Sequence, residues 1–352
     1  MVVKVFVVDD SAIVRQALAH MLAGNPEVEL VGSAPNPLLA MEAIRKTAPD
    51  VLLLDIEMPG MDGLTFLRQI MSTHPIPTVI CSTLSTEGSK VALEALAAGA
   101  ISVMAKPKLG LKQYLDDSRR DMIQALKIAA RARPRARTSV PDAAARALPA
   151  RAALHASVHA FAMNKPVVMG SSTGGTQALE LVLTSLPADA PGIAITQHMP
   201  EKFTAMYAQR LNGLCAMEVR EAKDGDRLQR GLALIAPGGL HMQLRKASGQ
   251  YYVHVVDGPP VNRHKPSVDV LFKSAAEVAG RDALGIIMTG MGDDGARGMK
   301  VMHDGGARTI AQNEETCVVF GMPKEAIKLQ AVDDILPLEQ IARAILQFDS
   351  RA

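Results

Sequence analysis

A serine in a glycine-rich turn is the first residue whose setting suggests catalysis. Residues 170–174 read Gly-Ser-Ser-Thr-Gly and fit the pattern G-x-S-x-G, which holds Ser172 on a sharp turn between a strand and a helix. The glycines allow the backbone angles that such a turn requires. The hydroxyl would stand clear of the sheet, close to backbone N–H groups that can stabilise an oxyanion. The turn therefore predicts a nucleophilic serine.

A glycine-rich turn can also bind phosphate or simply connect two elements. The dinucleotide pattern G-x-G-x-x-G is absent, because Ser172 occupies the place of its second glycine. No Gly-Lys-Ser/Thr follows, which excludes a Walker-type phosphate loop. A plain connecting turn therefore remains the alternative to a nucleophile at this point.

Two further residues could complete a hydrolytic site with this serine. His198 lies just past the predicted strand 192–196, and Asp294 lies just past the predicted strand 284–289. The carboxyl ends of parallel strands meet at one rim of a sheet, so we expect both side chains near Ser172. Histidine has the unperturbed pKa of a base, and a carboxylate can orient its ring. The three residues together predict a triad.

Other residues compete for the roles of base and acid. His241 and His264 lie in loops of the same half of the chain, but His198 is favoured by its strand-end position. Loop aspartates often only cap a helix. The acids that compete with Asp294 are Asp269, Asp293 and Asp304. The chain order serine, histidine, acid differs from that of ordinary α/β-hydrolases, which argues against that superfamily.

Three acids in the first third of the chain predict a second site. Asp9 and Asp10 end the predicted strand 2–8, and Asp55 ends the predicted strand 51–54. Each alone could cap a helix or a turn. Three carboxylates at one rim repel each other unless a hard cation lies among them, and Mg²⁺ prefers oxygen ligands.

A hydroxyl and an ammonium group are predicted at the same rim. Ser82 or Thr83 follows the predicted strand 77–81, and Lys106 follows the predicted strand 100–104. A hydroxyl, an ammonium and a metal around one aspartate would form a phosphoryl acceptor site.

Strands alternate with helices in both parts of the chain, which indicates two α/β folds. We predict an N-terminal five-stranded parallel sheet, doubly wound and flavodoxin-like, and a C-terminal doubly wound, mostly parallel α/β domain. Residues 1–122 and 164–352 are the predicted domains. Residues 123–163 are rich in Ala, Arg and Pro and predict a solvated linker, although its arginines could contact acidic receptors or nucleic acid.

Composition limits the class of protein. The length of 352 residues fits two domains, and 48% hydrophobic with 21% charged residues is typical of a soluble globular protein. A net charge of +2 argues against a general nucleic-acid binder. Three scattered cysteines indicate a reducing compartment, and no apolar run predicts membrane insertion. We therefore expect a cytoplasmic protein.

Residues 1 to about 120 resemble the receiver domain of two-component response regulators. The matching residues are Asp9, Asp10, Asp55, the pair Ser82-Thr83, Lys106-Pro107 and the segment 58–63. The resemblance implies that a histidine kinase phosphorylates Asp55 and that Asp9, Asp10 and Asp55 bind Mg²⁺ with the backbone of Glu57. It also implies that Lys106 and a hydroxyl act as switch residues. Ser82 fits the hydroxyl position better than Thr83.

Residues from about 165 to 350 resemble the chemotaxis protein-glutamate methylesterases, the CheB family. The matching motifs are Gly170-Ser-Ser-Thr-Gly-Gly175, Thr196-Gln-His-Met-Pro200, Ala236-Pro-Gly-Gly239 with His241-Met242, Asp257-Gly-Pro-Pro-Val-Asn-Arg-His264, Thr289-Gly-Met-Gly-Asp-Asp-Gly295 and Ala311-Gln-Asn-Glu314. The resemblance implies Ser172 as nucleophile, His198 as base and Asp294 as the orienting acid. Backbone N–H groups of Thr173 and Met291 would hold the oxyanion.

The resemblance also implies an activity. The expected reaction demethylates glutamate methyl esters on the cytoplasmic helices of chemoreceptors, releases methanol and needs no cofactor. The family also deamidates receptor glutamines, and phosphorylation of the receiver would activate the hydrolase. The alternative is a signalling adaptor whose hydrolase-like domain only binds partners. An acyltransferase or a peptidase could use the same three residues, and only the resemblance disfavours it.

Overall fold

The computed structural model contains two α/β units, each built on its own parallel sheet. It describes most of the chain in six segments, which are residues 2–58, 62–82, 86–106, 112–132, 165–201 and 203–350. The predicted linker beyond residue 132 lies outside these segments, as do Thr83, Pro107 and residues 59–61.

The first unit is a five-stranded parallel sheet with the strand order β2-β1-β3-β4-β5. This order is that of flavodoxin-like folds, so the predicted fold of the N-terminal domain is confirmed. Its elements are β1 (Val3–Val8), α1 (Ala12–Leu22), β2 (Val28–Ala34), α2 (Pro37–Thr47), β3 (Val51–Asp55), α3 (Gly63–Thr73), β4 (Thr78–Ser82), α4 (Thr86–Ala98), β5 (Ser102–Ala105) and α5 (Lys112–Arg131).

Helix α5 ends later than the predicted domain boundary at residue 122. The helix continues to Arg131, and four side chains beyond or next to that boundary lie in the core of the first unit: Met122, Ile123, Leu126 and Ala129. Their spacing repeats every three to four residues, which places them on one helix face. The first unit therefore extends to about Arg131, and the boundary at residue 122 was set too early.

The second unit is a seven-stranded parallel sheet with the order β14-β13-β12-β6-β7-β9-β8. The strands are β6 (Val167–Ser171), β7 (Ile193–Gln197), β8 (Glu218–Glu221), β9 (Leu232–Ile235), β12 (Leu284–Ile287), β13 (Arg308–Gln312) and β14 (Asp334–Leu336). β10 (His241–Ala247) and β11 (Gln250–Val256) form a hairpin, which is a separate antiparallel sheet.

In the described part of the chain, six α-helices cover this second sheet. They are α6 (Gly175–Thr184), α7 (Phe203–Leu214), α8 (Val268–Ala279), α9 (Ala296–Asp304), α10 (Met322–Lys328) and α11 (Leu338–Asp349). β7 pairs with one edge of β6, and β12 pairs with the opposite edge. The strand order therefore reverses between β6 and β12. A crevice at the carboxyl ends of the strands is expected at such a reversal. Within the described segments, no helix has the length and apolar character that a bilayer crossing requires.

Candidate active site

The nucleophile turn forms where β6 ends and α6 begins. β6 is buried throughout and ends at Ser171, and Ser172 follows half-buried at the rim. Gly174 precedes the helix with φ of 78°, a left-handed conformation that glycine adopts without strain. Gly175 N–H donates to Ser172 O at 2.8 Å and closes the turn. The predicted strand–turn–helix setting of Ser172 is therefore present.

The loop after β12 packs directly against this turn. Ser172 N–H donates to Thr289 O at 3.0 Å, and a Cβ atom at Gly290 would lie 2.8 Å from Ser172 Cβ. No side chain at position 290 could fit without moving the serine. The nucleophile turn and the loop after β12 are thus in contact at Ser172, where the predicted site lies.

His198 enters the site from the neighbouring strand. The β6–β7 register pairs Ser171 with Gln197, and His198 N–H donates to Ser171 O at 3.1 Å. The ring nitrogen Nε2 lies 2.8 Å from Asp294 Oδ2. The other ring nitrogen, Nδ1, is buried and has no hydrogen-bond partner among the described residues. The ring is therefore held at one nitrogen and available at the other.

Asp294 is buried and accepts hydrogen bonds on both oxygens. Besides His198, its donors are Val268 N at 2.7 Å, Ser267 Oγ at 2.7 Å, Asn262 Nδ2 at 2.8 Å and Asp269 N at 3.3 Å. Burial alone would raise the pKa of Asp294. The hydrogen bond and charge of His198, with the bonds from Asn262 and Ser267, lower that pKa below its usual value instead. The carboxylate is thus held ionised and fixed in place.

This arrangement defines the chemistry of the imidazole. An ionised carboxylate can only accept, so Nε2 carries the proton and Nδ1 is the lone-pair nitrogen. Nδ1 is then free to take a proton from a hydroxyl. Ser172 makes no hydrogen bond to Nδ1 within the described part of the chain. Serine–histidine bonds are often long without substrate and tighten when it binds.

The competing histidines, His241 and His264, make other contacts. His241 is buried, accepts from Ser267 N at 3.2 Å and lies 3.0 Å from Pro259 O, so its two nitrogens are occupied. His264 stacks on the ring of His198 with centroids 3.8 Å apart and planes 9° apart. Burial and the neighbouring His198 lower the pKa of His264 to about 4. It is therefore a neutral aromatic neighbour near neutral pH.

The competing acids lie away from the imidazole nitrogen. Asp293 is half-exposed and pairs loosely with Arg263 at 3.9 Å. Asp304 pairs with Lys300 at the end of α9. Asp269 is buried, but its carboxylate accepts from Asn262 Nδ2 and Gly298 N rather than from a histidine. Of the four acids, Asp294 is the one in contact with His198.

The two predicted oxyanion donors lie on the two loops that meet at the serine. Thr173 directly follows Ser172 in the nucleophile turn, and Met291 follows Gly290 in the loop after β12. No hydrogen bond from either backbone N–H to a described residue is found. Both groups are therefore available to an incoming oxygen.

Sequence reasoning missed the polar residues that hold the triad. Asn262 and Ser267 bind Asp294, and Gln197 binds the backbone of Ser172 and His198. Asn262 and Gln197 lie within motifs that the sequence analysis singled out, so motif membership was a signal. Their partners could not be read from the sequence, because these bonds join separate loops and strands.

The acids of the first unit come together as predicted. Carboxylate oxygens of Asp9, Asp10 and Asp55 lie within 4.8 Å of one another. Asp9 Oδ2 is buried and accepts no hydrogen bond from a described residue. Burial raises the pKa of Asp9; Lys106 opposes that rise and the charge of Asp55 adds to it. These crowded oxygens, with a buried Asp9 Oδ2 whose contact with Lys106 Nζ is a 3.4 Å ion pair, fit a hard cation such as Mg²⁺.

The remaining predicted residues of this rim surround Asp55. Lys106 Nζ lies 2.7 Å from Asp55 Oδ2 and 3.4 Å from Asp9 Oδ2. Ser82 is buried at the end of β4, and its carbonyl accepts from Lys106 N at 3.0 Å. Glu57 N–H donates to Asp55 Oδ1 at 3.0 Å. The rim thus combines carboxylates, an ammonium group and a hydroxyl.

Both units match known family models. Residues 167–345 match the family described as CheB methylesterase, and residues 5–114 match the response regulator receiver domain. The first match covers the sheet that carries Ser172, His198 and Asp294. The second covers the sheet that carries Asp55.

Similar proteins span nearly the whole chain. A protein of Dechloromonas aromatica is 58% identical over 98% of both chains, and one of Xanthomonas campestris is 57% identical over 97% of this chain and 99% of its own length. Both are named protein-glutamate methylesterase/protein-glutamine glutaminase 2. The crystal structure of the Thermotoga maritima CheB methylesterase catalytic domain is 37% identical, covers 52% of this chain and 98% of its own, and has a TM-score of 0.51.

Proposed function

The chain belongs to the CheB methylesterase family, and from that membership we propose that it is a phosphorylation-activated serine hydrolase. Its substrates are glutamate methyl esters on the cytoplasmic helices of chemoreceptors, and it also deamidates receptor glutamines. The contact between His198 Nε2 and Asp294 Oδ2, beside the turn of Ser172, is the observation that carries the proposal. The adaptor alternative is not favoured, because the relatives that are 57% and 58% identical to this chain are named as enzymes.

Acylation begins with attack of Ser172 Oγ on the side-chain carbonyl of the methylated glutamate. His198 Nδ1 takes the hydroxyl proton, and Asp294 stabilises the imidazolium that forms. The backbone N–H groups of Thr173 and Met291 bind the oxygen that becomes negative. The imidazolium then protonates the leaving methoxide, so methanol departs and an ester between Ser172 and the glutamate remains.

Deacylation uses the same groups in reverse. Water gives a proton to His198 Nδ1 and attacks the acyl carbonyl. Collapse of the second tetrahedral intermediate returns the proton to Ser172 Oγ and frees the glutamate. A glutamine substrate forms the same acyl-enzyme, with ammonia as the leaving group in place of methanol.

The first unit supplies the switch in this proposal. Asp55 accepts the phosphoryl group from a histidine kinase. Asp9, Asp10 and Asp55, with the backbone of Glu57, would hold Mg²⁺, which would neutralise charge on the phosphoryl oxygens. Ser82 and Lys106 bind the phosphorylated aspartate and act as switch residues. The chain works in the cytoplasm, where receptor helices and kinase are found, and the esterase reaction needs no cofactor.

Domain limits follow from the same proposal. Residues 164–352 form the catalytic domain, and residues 133–163 link it to a receiver that ends near Arg131. We propose no nucleic-acid partner, since the formal charge of the chain is only +2.

Methanol release tests the activity. Receptor methylated with labelled methyl groups is incubated with the protein, and volatile label is measured. Ser172→Ala removes the nucleophile and should lower the rate by about 10³-fold or more. The matched control is Ser185→Ala, which removes an exposed hydroxyl at the other end of α6 and should leave the rate unchanged. Full activity of Ser172→Ala would contradict the proposal.

A further inference from the structure

A glutamine side chain lies beneath the two residues proposed as nucleophile and base. Gln197 is the last residue of β7 and is 2% exposed. Its Nε2 donates to Ser172 O at 2.9 Å and to His198 O at 3.1 Å. One amide group therefore binds the backbone of both residues.

The neighbouring strand fixes this amide from its other end. Ser171 Oγ lies 2.6 Å from Gln197 Oε1, and Ser171 is fully buried. Backbone carbonyls can only accept, so Nε2 must face Ser172 O and His198 O, and Oε1 must face the serine hydroxyl. Each polar atom of the two side chains then has a partner, as buried polar groups require.

The space for this pair of side chains depends on a glycine in the nucleophile turn. A Cβ atom at Gly175 would lie 2.1 Å from Gln197 Oε1 and 2.7 Å from Ser171 Oγ. Gly175 also donates its N–H to Ser172 O, so that carbonyl receives one bond from the turn and one from Gln197. The side-chain pair and the turn are therefore packed as one unit.

We propose that Gln197 is a positioning residue for the hydrolysis, and that Ser171 acts through it. The inference rests on the proposed function. The Gln197 amide holds the carbonyls of Ser172 and His198 at a fixed separation and thereby sets the approach of Ser172 Oγ to His198 Nδ1. A misplacement of about 1 Å in reacting groups can slow a reaction by about 10²-fold.

The two side chains contribute differently to this role. Gln197 provides both hydrogen bonds to the catalytic backbone, so its loss frees both carbonyls. Ser171 only orients the amide, so its loss leaves both of those bonds possible. We therefore expect a large effect at position 197 and a small one at position 171.

The test measures how fast a fluorophosphonate probe labels the full-length chain. Gln197→Met keeps the volume and removes both donors, and we expect labelling of Ser172 to slow by about 10- to 100-fold. Ser171→Ala should slow it by less than about fivefold. Gln347→Met makes the same exchange at an exposed position of α11 and should label at the wild-type rate. Thermal unfolding of each variant measures stability separately.

A second variant covers the case in which Gln197→Met does not fold. Gln197→Glu has nearly the same shape, and its carboxyl can donate only while protonated. Its labelling rate relative to wild type should therefore fall as pH rises, because an ionised carboxylate would face two carbonyl oxygens. A merely structural role would give a constant ratio across pH.

The outcomes separate this inference from the proposed function. If wild type is labelled at Ser172 and Gln197→Met is labelled equally fast, the positioning role is wrong and the hydrolase proposal stands. A constant ratio for Gln197→Glu would overturn the positioning role in the same way. If the wild-type chain takes no label at Ser172, the proposed function itself fails.

Discussion

At the scale of single residues, one turn supports both the acid and the base of the site. Val261 and His264 exchange backbone hydrogen bonds of 3.0 and 2.9 Å, and the two residues between them have positive φ angles of 50° and 70°. Such angles are unfavourable for residues other than glycine and often occur at functional sites. The first of these residues, Asn262, binds Asp294, and His264 stacks on His198.

The stacked position of His264 predicts a pH-dependent stability. Its pKa is lowered to about 4 by burial and by His198, with smaller opposing contributions from the charges of Asp294 and Asp293 and a lowering one from Arg263. In the unfolded chain the ordinary pKa is about 6.5, so the unfolded state binds this proton first as pH falls. The folded state therefore loses stability from about pH 6.5 down to about pH 4.

His264→Phe keeps an aromatic ring and removes this titration. We expect its free energy of unfolding to fall less than that of wild type between about pH 7.5 and about pH 5. Urea unfolding of both proteins at the two pH values measures the difference. Equal losses in the two proteins would mean that His264 is protonated in the folded state as easily as in the unfolded one.

At the scale of elements, strand ends were the most predictable part of the site. Ser172, His198 and Asp294 lie in the segments that follow β6, β7 and β12, and these short, buried, mostly apolar strands are marked by their sequences. Ser171, by contrast, could not be assigned a role from the sequence. Its partner Gln197 is a neighbour only through the sheet register, which local patterns do not reveal.

Elements without an apolar pattern were not predicted. β8 has the sequence Glu-Val-Arg-Glu and lies at one edge of the second sheet, and β14 has only three residues at the other edge. Edge strands are half-exposed, so their sequences carry little of the signal that marks a buried strand. By contrast, the apolar pattern of α5 continues through Leu126 and Ala130, but the predicted domain boundary at residue 122 was placed before that pattern ends.

The corrected end of the first unit can be tested on α5. Leu126 is fully buried in the core of that unit, whereas Gln124 on the same helix is exposed. In a fragment of residues 2–132, Leu126→Ala should lower the free energy of unfolding by about 2–5 kcal/mol. The matched substitution Gln124→Ala should change it by less than about 0.5 kcal/mol. Urea titrations give both values, and equal effects would restore the earlier boundary.

At the scale of the whole molecule, the two units share a packed interface. Helix α4 of the first unit packs against α6 and α7 of the second. Gln177 in the first turn of α6 donates to Leu96 O at 2.8 Å, at the end of α4. Since α6 begins at the nucleophile turn, the first unit contacts the helix that follows Ser172.

A second contact reaches the site from the loop after β13. Val318 packs against the hydrophobic cluster of the first unit that contains Ile101 and Leu126. A Cβ atom at Gly174 would lie 2.4 Å from Val318 Cβ, so the same side chain also covers the nucleophile turn. A cavity of about 380 Å³ separates α5 from Met291 and Phe320 next to this contact. A movement of the first unit would therefore alter the surroundings of Ser172.

These contacts connect the unit that carries Asp55 to the helix that follows Ser172. Asp55 lies at the carboxyl end of β3, next to β4. Gln177 donates to Leu96 O near the end of α4 and lies 3.5 Å from Ala100 O in the loop between α4 and β5. We expect phosphorylation of Asp55 to weaken this interface and to open the rim of the second sheet. Ser172 should then become more reactive toward substrates and probes.

The most direct test locates the covalent adduct of a fluorophosphonate by mass spectrometry in the full-length chain. The account predicts an adduct on Ser172 that forms faster with Mg²⁺ and a small acyl phosphate. Asp55→Asn should keep the slow rate under both conditions, and His198→Ala should form almost none. An adduct on another residue, or none on Ser172 in either state, would contradict the account.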